Sequence, residues 1–344
     1  MEQRRLGRSG LSVSALSFGT MTLGGKGRHA AMGGIGVKDA TRQVDLCLAR
    51  GVNLFDTADI YSEGLAEEVL GEALHGRRHQ VLVATKAFAR MGPGANDLGL
   101  SRYHLLRACE ASLRRLRTDY IDLYQAHGID SLTPMEETLE AFDLLVRQGK
   151  VRYIGCSNFS AWQTVKALGI SERCRLPRYI SQQIQYSLLV RDAEFELIPM
   201  GLDAGVGVLA WSPLVFGLLS GKFRRGAARP EESRLNLLDV PIRLDWEHLY
   251  RIVDRMAEIA SARAVSVAQV ALNWVKGKPG VDTVILGART EEQLLDNLAA
   301  ADWNLTAEEM ARLDEVSAVP APYPIWHQRM WAAARNPALP AIRI

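Results

Sequence analysis

The stretch Val81-Leu-Val-Ala-Thr-Lys86, then the segment Ser101–Arg117, then Ile121-Asp-Leu-Tyr-Gln-Ala-His127 decides the architecture. Two short apolar runs flank a segment in which Leu105, Cys109, Leu113 and Leu116 share one helical face. Strand, crossover helix and second strand make the unit of a parallel sheet, whose strands are covered on both faces and so read as near-continuous apolar runs.

The unit repeats along the chain. Further strands are expected at Ala15–Gly19, Val52–Asp56, Val151–Ser157, Tyr179–Gln183, Val206–Trp211 and Val281–Leu286, which makes eight in all. Helix starts are marked by five candidate capping boxes, in which a Ser or Thr hydroxyl and a Glu or Gln three residues on satisfy each other's orphan amides. They are Thr133/Glu136 with Pro134 at the first helical position, Ser160/Gln163, Ser266/Gln269, Thr290/Gln293 and Thr306/Glu309. Eight strands with their helices fit a single α/β domain spanning 1–344, a (β/α)8 barrel with long loops at its C-terminal face. A doubly wound open sheet is the rival. It fits less well, because Phe18-Gly-Thr-Met-Thr-Leu-Gly-Gly25 has the wrong glycine spacing for a pyrophosphate turn, and no Walker A sequence occurs.

Three stretches stand outside the repeat. Residues 1–14, turning at Ser9-Gly10, are expected to form a hairpin capping one end of the barrel. The Gly-rich 24–37 segment and the segment 217–245, rich in Gly, Arg and Pro, are long loops of the kind that cover sites. The tail 318–344 is Pro-rich, carries Tyr323, Trp326 and Trp331, and is expected to pack as an aromatic flap.

The 344 residues are 48% hydrophobic, 23% charged and 7% aromatic, which excludes disordered, collagenous and coiled-coil chains. The net charge is +2, from 41 basic and 39 acidic side chains spread along the sequence, so there is no footprint for nucleic acid or an anionic membrane. Cys47, Cys109, Cys156 and Cys174 stand far apart, without His at zinc-ligand spacing, and read as reduced, mostly buried thiols. No signal peptide or membrane span is visible, and a cytoplasmic location is expected.

Neighbouring barrel strands lie about 4.8 Å apart, so residues at their C-terminal ends converge. Asp56, Lys86 and His127 end the second, third and fourth strands, and Tyr61 follows Asp56 by five residues. Taken singly, a strand-end Asp is most simply a turn or cap residue, and a lone His a packed one. Lys86 is more telling, because a buried ammonium has to be paired. A cation near a phenol stabilises the phenolate and lowers its pKa, which makes Tyr61 a usable acid. Asp56 would hold Lys86, and His127 would orient a substrate oxygen. The set contains no metal ligands and no nucleophile, so a hydride must come from a cofactor.

Asn53-Leu-Phe-Asp-Thr-Ala-Asp-Ile-Tyr61, Ala84-Thr-Lys86 and Asp122-Leu-Tyr-Gln-Ala-His127 resemble the signature segments of the aldo-keto reductases. The resemblance covers nearly the full chain, through Lys150-Val-Arg-Tyr-Ile-Gly-Cys-Ser-Asn-Phe159, Gln182-Gln183-Ile-Gln-Tyr186, Trp211-Ser-Pro-Leu214 and Ile285-Leu-Gly-Ala-Arg289. It implies an NADP(H)-binding barrel without a Rossmann domain, which reduces aldehydes or ketones reversibly to alcohols. By that likeness Asp56, Tyr61, Lys86 and His127 are the catalytic tetrad, with Tyr61 the proton donor. Ser157, Asn158 and Gln183 match positions holding the nicotinamide carboxamide, and Trp211 the aromatic stacked on the ring. Ser212, Leu214, Ser220 and Lys222 match the pyrophosphate segment. Gly287, Arg289, Gln293, Asp296 and Asn297 match the adenosine end, and Arg234 a residue reaching the 2′-phosphate. A guanidinium suits that phosphate, so Arg289 favours NADP over NAD.

Gln182 stands where many relatives have Asn, and Trp211 where many have Tyr. Trp211-Ser-Pro-Leu214 and Ser220-Gly-Lys222 resemble instead the potassium-channel β-subunit branch. Two alternatives follow: a regulatory subunit sensing the NADP redox state, and a phosphate-binding barrel isomerase or aldolase with Lys86 as Schiff base. The expected partner is a small carbonyl compound, and an oligomer is possible.

Overall fold

The structure, a computed structural model, describes residues 1–226 and 244–335. Its centre is a closed eight-stranded parallel barrel, so the open doubly wound sheet is excluded. A separate antiparallel pair, β1 (Gln3–Arg5) and β2 (Ser12–Ser14), precedes it. The barrel strands are β3 (Leu16–Gly19), β4 (Leu54–Asp56), β5 (Leu82–Ala87), β6 (Ile121–Ala126), β7 (Val151–Ser157), β8 (Tyr179–Gln185), β9 (Gly207–Trp211) and β10 (Val281–Leu286). All eight coincide with the expected runs, and β10 closes the ring by pairing with β3.

The first six helices are α1 (Val37–Ala49), α2 (Leu65–Ala73), α3 (Arg102–Leu116), α4 (Met135–Arg147), α5 (Ala161–Cys174) and α6 (Leu197–Ala204). Among the described residues, two helices, α7 (Trp246–Arg263) and α8 (Val267–Lys276), lie between β9 and β10. They are followed by α9 (Glu291–Ala299), α10 (Ala307–Val316) and α11 (Ile325–Arg335). Alternation along each strand sorts its side chains. Phe55 and Val83 face out into the layer beneath the helices, whereas Leu54, Ala84, Leu123, Leu209 and Ile285 meet inside the barrel.

Leu6 and Val13 of the hairpin join that inner cluster, so the pair caps the barrel at its N-terminal end. The approach is close. Gly7 has φ +56°, and a Cβ there would come within 2.6 Å of Gly205 O and of Gly207 N, so only glycine fits.

The capping boxes fare unequally. Thr306 and Glu309 form the complete reciprocal box, while Ser266 Oγ and Thr290 Oγ1 each accept the third backbone N–H of their helices. Gln163 Oε1 accepts from Ser160 N at 2.9 Å. The box expected at Thr133/Glu136 does not form. Asp130 Oδ2 takes the Thr133 hydroxyl at 2.7 Å and its Oδ1 the Thr133 N–H, and the first turn of α4 begins after Pro134 without a side-chain cap. Pro134 is the N-cap, so Thr133 lies one residue too early for its hydroxyl to cap the first turn.

Residues 24–37 hold one short 3₁₀ turn, Gly27–His29, and a bridge between Leu23 and Ile35. Most of the 217–245 loop, 227–243 with Arg234 among them, lies outside the described residues. In the tail, the helix α11 was not expected. Its Trp326, Met330 and Trp331 are exposed, and the Tyr323 ring lies 6.3 Å from that of Trp326. Cys47, Cys109 and Cys156 are buried and Cys174 is exposed, all unbridged. No helix among the described residues is long and apolar enough to cross a membrane.

Candidate active site

The pleat that points Leu54, Ala84 and Leu123 inward also aims the residues two and four places further on, Asp56, Lys86, Gln125 and His127, at the C-terminal rim of the lumen. Backbone bonds hold the strand exits in step: Thr57 N donates to Ala84 O at 2.8 Å, Asp59 N to Lys86 O at 3.1 Å and His127 N to Ala87 O at 3.0 Å.

Lys86 is fully buried. Its Nζ donates to Asp56 Oδ2 at 2.7 Å and to Thr57 O at 2.7 Å. Burial by itself would lower the ammonium pKa, but the Asp56 carboxylate and the Tyr61 phenol facing it outweigh that and raise it above the ordinary lysine value. The Asp56 carboxylate is closed on its other side, since Gln183 Nε2 donates to Oδ1 at 2.8 Å from across the barrel.

Tyr61 leans over this pair. The Lys86 ammonium lies 5.1 Å from its ring centroid, and the His127 ring meets it edge-on at 5.9 Å and 78°. The structure thus brings all four sequence-identified residues into one cluster. Asp59, three residues after Asp56, is also fully buried; burial first and Glu67 second push its carboxyl pKa well above the usual range.

A second tier surrounds the four. Ser157 Oγ donates to Gln183 O at 2.9 Å, and Asn158, at φ +58°, donates through Nδ2 to His127 O at 3.0 Å. Trp211 ends β9 half-buried and borders a cavity of about 270 Å³ with Asn158, Ile184, Gln185 and Leu197. Beyond it the chain turns sharply, with Ser212, Val215 and Phe216 at positive φ, through Leu214 to Ser220 and exposed Lys222. Ser220 Oγ donates to Gly217 O at 2.7 Å.

Further round the rim, Gly287 and Arg289 are exposed where β10 leads to Thr290, the N-cap of α9. Gln293 Oε1 accepts from Arg289 N at 3.0 Å, and Arg289 itself is exposed at the helix start. Asp296 is already engaged in the protein, accepting from Ser266 Oγ at 2.7 Å and Gln269 Nε2 at 2.6 Å, and Asn297 is buried.

Sequence reading missed His29. It lies buried in the Gly-rich segment and packs edge-on against Tyr61, ring centroids 5.5 Å apart at 63°. Its Nδ1 accepts from Ser62 N at 3.2 Å. The single signal available is a lone imidazole in a Gly-rich loop. Among the described residues no group of His, Cys, Asp and Glu could hold a metal.

A family model described as "Aldo/keto reductase family" matches residues 15–318. The chain is 40% identical over 328 residues to "Uncharacterized oxidoreductase YrpG" of Bacillus subtilis, covering 92% of this chain and 96% of that one. It is 38% identical to a "Probable voltage-gated potassium channel subunit beta" of Arabidopsis thaliana, over 88% and 92% of the two chains. It is 33% identical to "Versiconal hemiacetal acetate reductase" of Aspergillus parasiticus, over 92% and 96%. Barrel, buried ion pair and sequence likeness agree, and the chain belongs to the aldo/keto reductase family of carbonyl-acting oxidoreductases.

Proposed function

We propose that this protein reduces aldehydes or ketones with NADPH, reversibly, with Tyr61 as the group that protonates the carbonyl oxygen. The observation that carries the reading is the buried Asp56–Lys86 ion pair, with the Lys86 ammonium 5.1 Å from the Tyr61 ring centroid. A cation held there by Asp56 favours the phenolate, and so eases proton donation from Tyr61 to a developing alkoxide. His127, edge-on to Tyr61, is placed to hydrogen-bond the same oxygen and fix its direction. Gln183 and Thr57 O keep Asp56 and Lys86 from rotating out of register.

The donor set fits a nicotinamide dinucleotide. The half-buried Trp211 offers an apolar face at the rim; Ser157, Asn158 and Gln183 offer hydroxyl and amide groups beside it. The turn Ser212, Leu214, Ser220 and Lys222 offers backbone amides and an exposed ammonium to a pyrophosphate. Gly287, exposed Arg289 and Gln293 surround a helix N-terminus, and a guanidinium there suits a 2′-phosphate. Asp296 would act there by holding α8 and α9 together through Ser266 and Gln269, and the adjoining Asn297 is buried. The bound dinucleotide supplies the hydride.

A Schiff-base reading of Lys86 is disfavoured by its raised pKa and two acceptors at 2.7 Å, which keep the amine protonated and non-nucleophilic. The likeness to proteins named as potassium-channel β subunits favours a second reading, a redox-sensing subunit that binds the dinucleotide while docked on a partner. The experiment that separates the two is consumption of NADPH against a panel of aldehydes and ketones, repeated with NADH. Turnover of at least one carbonyl, faster with NADPH, supports the reductase. Tight NADPH binding with no turnover across the panel supports the subunit.

A further inference from the structure

We infer that His29 is a positioning residue for Tyr61, and that its Nδ1 lone pair is the feature that matters. This rests on the reading of Tyr61 as proton donor and adds to it a residue outside the four. Tyr61 opens a short turn, Tyr61–Gly64, in which Ser62 and Glu63 sit at φ +50° and +58°. Left-handed backbone at two consecutive non-glycine residues persists only where the surroundings hold it.

The holding groups come from the Gly-rich loop. His29 Nδ1 accepts the Ser62 N–H at 3.2 Å, Ser62 Oγ donates to Leu23 O at 2.8 Å, and Gly25 N donates back to Ser62 Oγ at 3.0 Å. The Glu63 side chain lies against Gly27, where a Cβ would collide with it, and its carboxylate pairs with Lys26 at 3.6 Å. His29 does two things at once in this lash: it fixes the peptide following Tyr61 and it packs its ring edge-on against the phenol at 5.5 Å. Accepting a backbone N–H at Nδ1 requires the neutral imidazole with its proton on Nε2. The Tyr61 ring thus has three neighbours: the His29 ring at 5.5 Å, the His127 ring at 5.9 Å and the Lys86 ammonium 5.1 Å from its centroid.

A proton donor displaced by a fraction of an ångström loses rate without losing cofactor affinity, because the dinucleotide is held elsewhere. The test uses two variants that separate ring from lone pair. His29→Phe keeps an aromatic edge against Tyr61 and removes the acceptor; His29→Asn keeps an acceptor oxygen near the place of Nδ1 and removes the ring. Each is assayed for kcat and KM with a carbonyl substrate and for NADPH affinity by tryptophan fluorescence, beside Tyr61→Phe.

The expected result is a fall in kcat of roughly tenfold or more in His29→Phe with NADPH affinity unchanged, and recovery to within about threefold of wild type in His29→Asn. A His29→Phe enzyme with wild-type kcat overturns the proposal. So do equal losses in both variants, or a loss of NADPH affinity in step with kcat, since these indicate general damage to the loop. Full activity in Tyr61→Phe instead overturns the assignment of the proton donor, an outcome distinct from either.

Discussion

The Lys86 ammonium lies 2.7 Å from Asp56 Oδ2, and neither group reaches solvent. Two oppositely charged groups are held together in a low-dielectric rim. Removing one partner leaves the other buried and unpaired, which costs about 3–5 kcal/mol. Lys86→Met is therefore expected to lose both turnover and stability by that order in urea unfolding, and Lys86→Met/Asp56→Asn to regain most of the stability and none of the turnover. A single variant as stable as wild type would contradict this account of the pair.

The same pair gives a pH dependence of known sign. The folded Lys86 pKa is raised above the unfolded value of 10.5, so its contribution is complete below that value and disappears as pH rises through the folded one. Melting temperature is expected to be insensitive to this group from neutrality to about pH 10 and to fall beyond it. Comparing alkaline melting curves of wild type and the double variant isolates the effect.

At the opposite end of the barrel, Asp282 Oδ2 accepts the Gly7 N–H at 2.8 Å, and burial pushes its pKa up to about 6. Here the folded value exceeds the ordinary carboxylate value of 3.8, so ionisation works against the fold. Stability from this group falls as pH rises from about 4 to about 6, by at most about 3 kcal/mol, the equivalent of the two-unit shift. Asp282→Asn keeps an acceptor for Gly7 and is expected to flatten that part of the profile. Urea midpoints measured on both sides of pH 6 check it.

Arg289 is exposed at the N-terminus of α9, its backbone tied to Gln293 at 3.0 Å. Substituting Arg289→Leu leaves that tie in place and removes the guanidinium. The expected outcome is a rise in KM for NADPH of about tenfold or more, with little change for NADH, since a charge-assisted bidentate contact contributes on the order of 1.5–3 kcal/mol. Equal effects on both nucleotides would place the 2′-phosphate elsewhere.

The barrel was legible because its signals are local. Val81–Lys86 and Ile121–His127 are apolar runs of strand length, and the two-residue alternation that buries Ala84 and Leu123 inside the lumen carries Lys86 and His127 to the rim without further information. Tyr61 could be placed near them because five residues cannot take it far from Asp56. What the sequence hid depends on one-residue offsets and on long-range pairing. Thr133 reads as a cap, but the helix starts one residue later, after Pro134, and the ties of Asp296 to Ser266 and Gln269 across α8 and α9 carry no periodic signal in the chain. His29 meets Ser62 across 33 positions through a loop with no periodicity, so no pattern in the chain announces the contact. The helix α11 begins just after Pro324, in a Pro-rich, aromatic stretch, and its period was masked by that composition.

The most direct test of the central claim follows the hydrogen rather than the rate. Wild-type protein and Tyr61→Phe are incubated with NADPH carrying deuterium at both C4 positions and an aldehyde, and the alcohol is examined for deuterium on the carbinol carbon. The account predicts one deuterium at that carbon with the wild type, and no product from Tyr61→Phe despite unchanged NADPH binding. Alcohol free of deuterium, or labelled alcohol formed by Tyr61→Phe at the wild-type rate, would contradict it.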